Sequence, residues 1–96
     1  MEKNNRADLQ KLYHVMLCLK DEKECEALFE DLFTISELNA AAQRIKVADM
    51  LYHKKTCQSI AEETGASTAT VSRVNKCLNY GSGGYKIVLE RIYTEE

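Results

Sequence analysis

The stretch from Thr56 to Leu78 constrains the fold more than any other part of the chain. Ala61 is small enough to let two helices approach closely, and Gly65, four positions later, suits a turn that needs a left-handed backbone. Val71 and Val74 follow at helical spacing, so both can pack against the helix before the turn. This pattern predicts a helix-turn-helix over about 56–78. The alternative is an ordinary helical hairpin with a glycine cap between its helices.

Two hydroxyl residues indicate where the motif helices begin. Thr56 can cap the first helix, which is expected to end near Glu63. Ser67 can cap the second helix, which is expected over about 68–78. Ile60 completes the small core between the two helices.

Apolar residues at helical spacing predict four further helices, at about 7–20, 22–33, 34–53 and 85–93. Thr34 and Glu37 have the spacing of a capping box, which would start the helix at 34–53. The apolar residues of that helix are Leu38, Ala41, Ala42, Ile45, Ala48, Leu51 and Tyr52. The chain is therefore expected to form a single all-α domain over residues 1–96. Its length allows a modest core, so self-association would stabilise it.

Charge is distributed unevenly along the chain. The net charge is −2, which would argue against DNA binding if it were uniform. Residues 1–37 carry five basic and nine acidic side chains, whereas residues 38–93 carry eight basic and four acidic ones. Because attraction to phosphate depends on the local field, the half that holds the motif is expected to face DNA. The acidic half is expected to point away from it.

The second helix of a helix-turn-helix presents its first residues to base edges in the major groove. The predicted DNA-contacting residues are Gln58, Thr68, Ala69, Thr70 and Ser72, with the cations Lys54, Lys55 and Lys76. Hydroxyls can donate or accept hydrogen bonds and methyl groups can touch thymine, while Gln58 is the nearest side chain able to read an adenine edge. Specificity would therefore depend on hydroxyls, water and DNA shape. The alternative for the three hydroxyl residues is a solvated helix start.

The histidines favour neither a metal site nor a catalytic site. His14 and His53 lie four positions before Cys18 and Cys57, but two ligands per site are too few for a metal ion. Neither histidine has an obvious acidic orienting partner, so we do not expect an enzyme. No cofactor is required by any motif.

Cysteine usage and hydropathy indicate the compartment. No stretch is apolar enough to predict a membrane span, and the polar N-terminus does not resemble a signal sequence. Reduced thiols that act mainly as packing residues are expected in a cytoplasmic helical protein. The four cysteines are Cys18, Cys25, Cys57 and Cys77.

The segments LFTISELNAAAQRIKVADML and GASTATVSRVNKCLNYG resemble the Trp repressor superfamily, most closely its bacterial Trp-repressor-like subgroup. The resemblance runs from about 32 to 81, and the first and last helices match by pattern. It implies a multi-helical Trp-repressor-like fold in an intertwined homodimer, with the two motifs spaced for successive major grooves. It also implies a transcription regulator, a repressor by the family's name, that binds double-stranded DNA.

The resemblance also concerns an effector site. In the tryptophan-sensing members L-tryptophan lies between two arginines, and Arg44 and Arg73 fall on those positions, with Thr34 matching a third. One guanidinium can clamp a carboxylate while another stacks on a planar ring. A glycine and a serine of the tryptophan binders are replaced by Val74 and Cys77, and the valine is expected to fill part of the pocket. Phosphate contact, or an ion pair with a neighbouring glutamate, is therefore favoured for both arginines.

Three functions are consistent with these residues. The first is a sequence-specific, dimeric DNA-binding regulator. The second is a repressor gated by a small effector, L-tryptophan or a smaller molecule, held between Arg44 and Arg73. The third is a helical dimer that docks on other proteins, which the acidic first half supports.

Overall fold

The computed structural model describes residues 5–94. Over this range the chain forms six helices and no strand, which confirms the predicted all-α class. The helices are α1 (Arg6–Leu17), α2 (Glu22–Leu32), α3 (Ile35–Tyr52), α4 (Cys57–Thr64), α5 (Thr68–Tyr80) and α6 (Gly84–Thr94). No helix of the described range is long and apolar enough to cross a membrane.

The helix boundaries differ from the predicted ones by up to three residues. α1 ends at Leu17 rather than near residue 20, and α5 continues past Leu78 to Tyr80. α5 continues because no helix-breaking residue occurs before Gly81. α3 begins directly after Thr34, which agrees with the start that the capping box predicts.

The chain divides into two compact units, Met1–Ile35 and Ser36–Glu96. In the first unit Asp21 caps α2, because its side chain accepts a hydrogen bond from the Glu24 amide at 2.9 Å. Glu24 in turn accepts from the Lys20 amide at 2.9 Å. No residue of α1 or α2 is buried. The single domain over residues 1–96 stays a prediction.

The second unit contains the core of the chain. The buried residues come from α3, α4, α5, α6 and the turn between α4 and α5, and they are Val47, Ala48, Ile60, Ala66, Val71, Val74, Leu78 and Leu89. Ile60, Val71 and Val74 were predicted to form the core of the motif, and their burial confirms this. Since these residues lie on inward faces of α4 and α5, the opposite face of α5 is left to solvent.

The predicted apolar face of α3 is partly wrong. Ala48 is buried and Leu51 and Tyr52 pack against the core, as expected. Ala41 and Ala42 are exposed, however, and Ile45 is 47% exposed. Val47, which the pattern did not include, is fully buried. The physical reason is that the buried residues of α3 begin at Val47, so the first half of the helix lies outside the core of this unit.

A polar and aromatic cluster joins the end of α6 to the end of α3. The Tyr93 hydroxyl donates to Asp49 Oδ1 at 2.7 Å, and its ring stacks on Tyr52 with centroids 5.9 Å apart. His53 meets the Tyr93 ring edge-on at 4.7 Å, and its Nδ1 lies 3.4 Å from Asp49 Oδ1. The expectation that His53 lacks an acidic partner is therefore wrong. Asp49 was overlooked because it lies one turn before His53 on α3, where it looked like a solvated residue.

Candidate nucleic-acid interface

The first helix of the motif begins and ends as the sequence predicts. The Thr56 side chain accepts a hydrogen bond from the Ser59 amide at 3.1 Å and so caps α4. Gly65 follows α4 with a φ of 77°, and its amide donates to the Ala61 carbonyl at 2.9 Å. A residue with a side chain rarely adopts this left-handed backbone, which explains the glycine. The turn therefore has the geometry expected of a helix-turn-helix.

Thr64 fixes the turn through three hydrogen bonds, which the sequence did not reveal. Its hydroxyl donates to the Ile60 carbonyl at 2.7 Å and accepts from the Ala66 amide at 3.1 Å. Its carbonyl accepts from Gln43 Nε2, on α3, at 3.4 Å. No sequence signal could have identified Gln43, since a lone glutamine among small residues of a helix resembles a solvated one.

The second helix of the motif begins at a hydroxyl pair. Ser67 caps α5 by accepting from the Thr70 amide at 3.1 Å, as predicted, and its hydroxyl also donates to Thr70 Oγ1 at 3.0 Å. Thr68, Ala69 and Ser72 are exposed, and Thr70 is half-buried. The four predicted base-contacting residues thus lie together in the first turns of α5, with three of the side chains open to solvent.

The side-chain amide of Gln58 is already engaged in a hydrogen bond within α4. Its side chain is exposed on α4, but Nε2 donates to Glu62 Oε2 at 3.4 Å, one helical turn further on. The amide keeps one N–H and its carbonyl oxygen without a partner within residues 5–94. Glu62 also places a negative charge beside that amide, which would reduce attraction to a DNA phosphate.

The lysines between α3 and α4 have an unusual backbone. Lys54 has a φ of 67°, and within residues 5–94 it is the one residue other than glycine with a positive φ. Its amide donates to the Leu51 carbonyl at 2.9 Å, and the Lys55 amide donates to the Met50 carbonyl at 3.0 Å. These two bonds close α3 in a Schellman motif. Both lysine side chains are exposed, as is Lys76 on α5, so all three predicted cations are open to solvent.

The two arginines of the predicted effector site are both unpaired. Arg44 on α3 and Arg73 on α5 are exposed, and neither has a carboxylate partner in the described part of the chain. The ion pair with a neighbouring glutamate is therefore not formed there. Val74 is 2% exposed and belongs to the core, whereas Cys77 is exposed. Thr34, the third matching residue, is exposed and lies in the other unit.

The cysteines are free, as predicted, but most are not packing residues. Cys25 is half-buried. Cys18, Cys57 and Cys77 are exposed, so the prediction of packing thiols is wrong for these three. Cys57 and Cys77 lie on faces of α4 and α5 directed away from the core, whereas Cys18 follows α1, which buries no residue. Over residues 5–94 no three histidine, cysteine or acidic side chains come close enough together to hold a metal ion.

Known proteins are similar to this chain in sequence and in fold. A family model described as Trp repressor protein matches residues 7–93. The chain is 46% identical over 96 residues to YerC, an uncharacterized protein of Bacillus subtilis (strain 168), with 100% of this chain and 92% of that relative covered. A TrpR-like protein from Eubacterium eligens ATCC 27750 has a solved structure that is 45% identical, with a TM-score of 0.89 and 97% of each chain covered. The structure of a proposed Trp repressor from Staphylococcus aureus is 40% identical, with a TM-score of 0.86 over 90% of this chain and 86% of that one.

Proposed function

The chain belongs to the Trp repressor family, and from this membership and the geometry of its helix-turn-helix we propose that it is a sequence-specific DNA-binding transcription regulator. The observation that carries the proposal is the start of α5. Its apolar side is buried in the core, while Thr68, Ala69 and Ser72 are exposed directly after a capped helix start. A helix presented in this way can enter the major groove with its first residues against base edges.

The charge of the reading helix agrees with this role. α5 carries Arg73 and Lys76 and no acidic residue, so its exposed side is positive. α4 is less favourable, because Glu62 and Glu63 are exposed on it. A single subunit therefore offers few cations to phosphate, and non-specific affinity should be low. Two motifs on one particle would add their contributions, which favours a dimeric reader.

We further propose that the regulator is a homodimer. α1 and α2 bury no residue in the chain, yet apolar side chains line them and the start of α3. Leu17 is 84% exposed, Ile35 is 78% exposed and Tyr13 is 57% exposed. Exposed apolar side chains on helices that bury no residue within the chain are typical of proteins in which two subunits form one core.

Membership in the Trp repressor family supports a proposal on the sign of regulation and on the place of action. A dimer that occupies a palindromic site blocks other proteins from the same DNA, so we propose repression. A DNA partner would be met in the cytoplasm of a bacterial cell, so we propose that location. A protein-docking dimer is the competing function, and a failure to bind any duplex would favour it.

Small-effector gating is a second candidate, supported by the two unpaired arginines. Two exposed guanidiniums on α3 and α5 could hold a carboxylate or a planar acid. The burial of Val74 leaves less room beside Arg73 than a glycine would, so we propose an effector smaller than L-tryptophan. Thermal shift against amino acids and planar acids tests this. Full-strength operator binding by the ligand-free chain would count against it.

The DNA-reading role is tested by Thr68→Ala. Thr68 is exposed at the first position of α5, so its loss should relax specificity at one base pair of each half-site by about 1–3 kcal/mol. Thr94→Ala removes the same groups from the last residue of α6 and serves as the matched control. Competition binding against every base at each position of the site gives the readout. Identical base preferences in Thr68→Ala and the unmodified chain would contradict direct reading by Thr68.

A further inference from the structure

Gln43 connects α3 to the turn of the helix-turn-helix. Its Nε2 donates to the carbonyl of Thr64, the last residue of α4, at 3.4 Å. Carbonyls at the end of a helix have no partner within that helix, so they need a side chain, a water molecule or a cap. Gln43 is half-buried, as is Thr64, so this bond lies partly out of water.

The same turn determines where α5 begins. The Thr64 hydroxyl bridges the Ile60 carbonyl and the Ala66 amide, and Ala66 is 5% exposed within the core. Ser67, the cap of α5, is the next residue. A shift of the Thr64 peptide would therefore be transmitted through the buried alanine to the first turn of α5, because a close-packed core does not absorb it.

From this geometry we infer that Gln43 is a positioning residue for DNA reading: its hydrogen bond to the Thr64 carbonyl holds the turn so that the start of α5 meets the base edges in register. The inference rests on the proposed DNA-binding function and adds to it a residue outside the motif. Gln43 itself need not touch DNA. Loss of its bond should weaken the contacts that depend on orientation, whereas the phosphate contacts of flexible lysines should persist.

The variant that tests the inference is Gln43→Met. Methionine has a similar length and volume and no N–H, so the hydrogen bond is lost with little change in packing. Gln10→Met makes the same change at an exposed position of α1 and serves as the matched control. Both full-length variants are compared with the unmodified chain on a selected duplex and on a scrambled duplex, across a range of salt concentrations.

The expected result is a change in specificity rather than in overall binding. Gln43→Met should lose about tenfold in affinity for the selected duplex, while its affinity for the scrambled duplex and the salt slope stay unchanged. Hydrogen exchange of the Gly65 and Ala66 amides, measured without DNA, should become roughly tenfold faster, because both donate within the turn. Gln10→Met should change none of these quantities.

Two results would overturn the inference by itself. One is an unchanged ratio of specific to non-specific affinity in Gln43→Met. An equal loss of affinity for both duplexes would be such a result, and it would indicate general destabilisation. The other is unchanged exchange at Gly65 and Ala66. If the unmodified chain does not prefer any duplex, the proposed function fails and the positioning role fails with it. The exchange measurement separates these cases, because it detects the Gln43 bond without DNA.

Discussion

Lys54 adopts a backbone conformation that its side chain disfavours. Its φ of 67° is in the left-handed region, which costs a residue with a Cβ about 1–2 kcal/mol. Glycine avoids this cost but loses more conformational freedom on folding. A lysine at this position is understandable if its charge serves the proposed DNA binding, for which its exposed side chain is available.

Lys54→Gly should therefore separate stability from binding. We expect the free energy of unfolding to rise by roughly 0.5–1 kcal/mol, because the gain from relieved strain exceeds the entropic cost of glycine. DNA affinity should fall, and the salt slope should become shallower by about one phosphate contact. Urea unfolding and binding titrations at several salt concentrations measure the two effects.

Lys55→Gly is the control for this pair. Lys55 has no positive φ and is equally exposed, so the same substitution should weaken binding alike without stabilising the fold. A Lys54→Gly chain that is less stable than the unmodified one would show that the backbone strain is not relieved by glycine.

At the residue scale the sequence predicted the structure best where the backbone requires a particular residue type. The caps Thr56 and Ser67 and the left-handed Gly65 were predicted because each has a residue type that its position demands. The cap at Asp21, with Glu24 three residues later, follows the same rule and could have been found. Lys54 could not, because nothing in its side chain indicates a left-handed backbone.

The end of α5 depends on the absence of a side chain at Gly81. The Gly81 amide donates to the Cys77 carbonyl at 2.9 Å, and a Cβ at this position would lie 2.4 Å from the same carbonyl oxygen. Gly81→Ala must therefore shift the chain between α5 and α6, and should cost about 1–3 kcal/mol in the free energy of unfolding. Thermal or urea unfolding measures the loss.

Gly84→Ala provides the matched comparison. A Cβ at Gly84 would meet nothing within 4 Å, and the residue begins α6 without a positive φ. Alanine there should be neutral or stabilising by up to about 1 kcal/mol. Equal effects of the two substitutions would mean that the close approach at Gly81 does not restrict the connection.

The contact between α6 and α3 should make stability depend on pH in the alkaline range. The hydrogen bond that Tyr93 donates to Asp49 raises the pKa of Tyr93 above its ordinary value of 10.0, with smaller contributions from desolvation and from the charge of Asp49. A raised pKa means that the stabilisation is complete below pH 10.0 and is lost as pH rises through the higher, folded-state pKa. The unmodified chain should lose stability over that range.

Tyr93→Phe tests this dependence. The variant keeps the ring beside Tyr52 and His53 but cannot donate to Asp49, so it should be less stable at neutral pH and should lack this part of the alkaline decline. Urea unfolding from pH 8 to pH 11 compares the two chains. Parallel pH profiles for both chains would show that the hydrogen bond does not determine the shift.

At the element scale the existence of each helix was predictable and the buried face of α3 was not. The spacing of apolar residues indicated four of the six helices of the described range, and the helix-turn-helix pattern with its caps indicated the other two. On α3, however, apolar residues lie on more than one face, so periodicity could not distinguish Val47, which is buried, from Ile45, which is half-exposed. Which face of α3 is buried depends on the packing of the motif against the second half of this helix.

At the scale of the whole molecule, the exposed apolar helices predict association. Tyr13 lies on the apolar face of α1 and is 57% exposed, so a charge there should prevent a second subunit from covering that face. We expect Tyr13→Glu to sediment as a monomer where the unmodified chain sediments as a dimer. His14→Glu adds a charge at the adjacent residue, on another face of α1, and should remain a dimer. An unmodified chain that sediments as a monomer at all concentrations would contradict the proposed homodimer.

The sequence also indicated the family and the positions of the candidate site, because the motif from Thr56 to Leu78 is local in the chain. Contacts between distant residues were not predictable. The bond from Gln43 to Thr64 and the one from Tyr93 to Asp49 join residues whose side chains have no distinctive spacing. Such contacts depend on how the helices of Ser36–Glu96 pack, which local patterns do not determine.

In the proposed function, α5 reads DNA sequence. Its most direct test is selection of bound duplexes from a random pool by the full-length chain, followed by affinity measurements at increasing salt concentration. We expect an enriched palindromic motif with half-sites about one helical turn apart, and an affinity that falls steeply as salt rises. A pool that stays random, together with an affinity that hardly changes with salt, would contradict it.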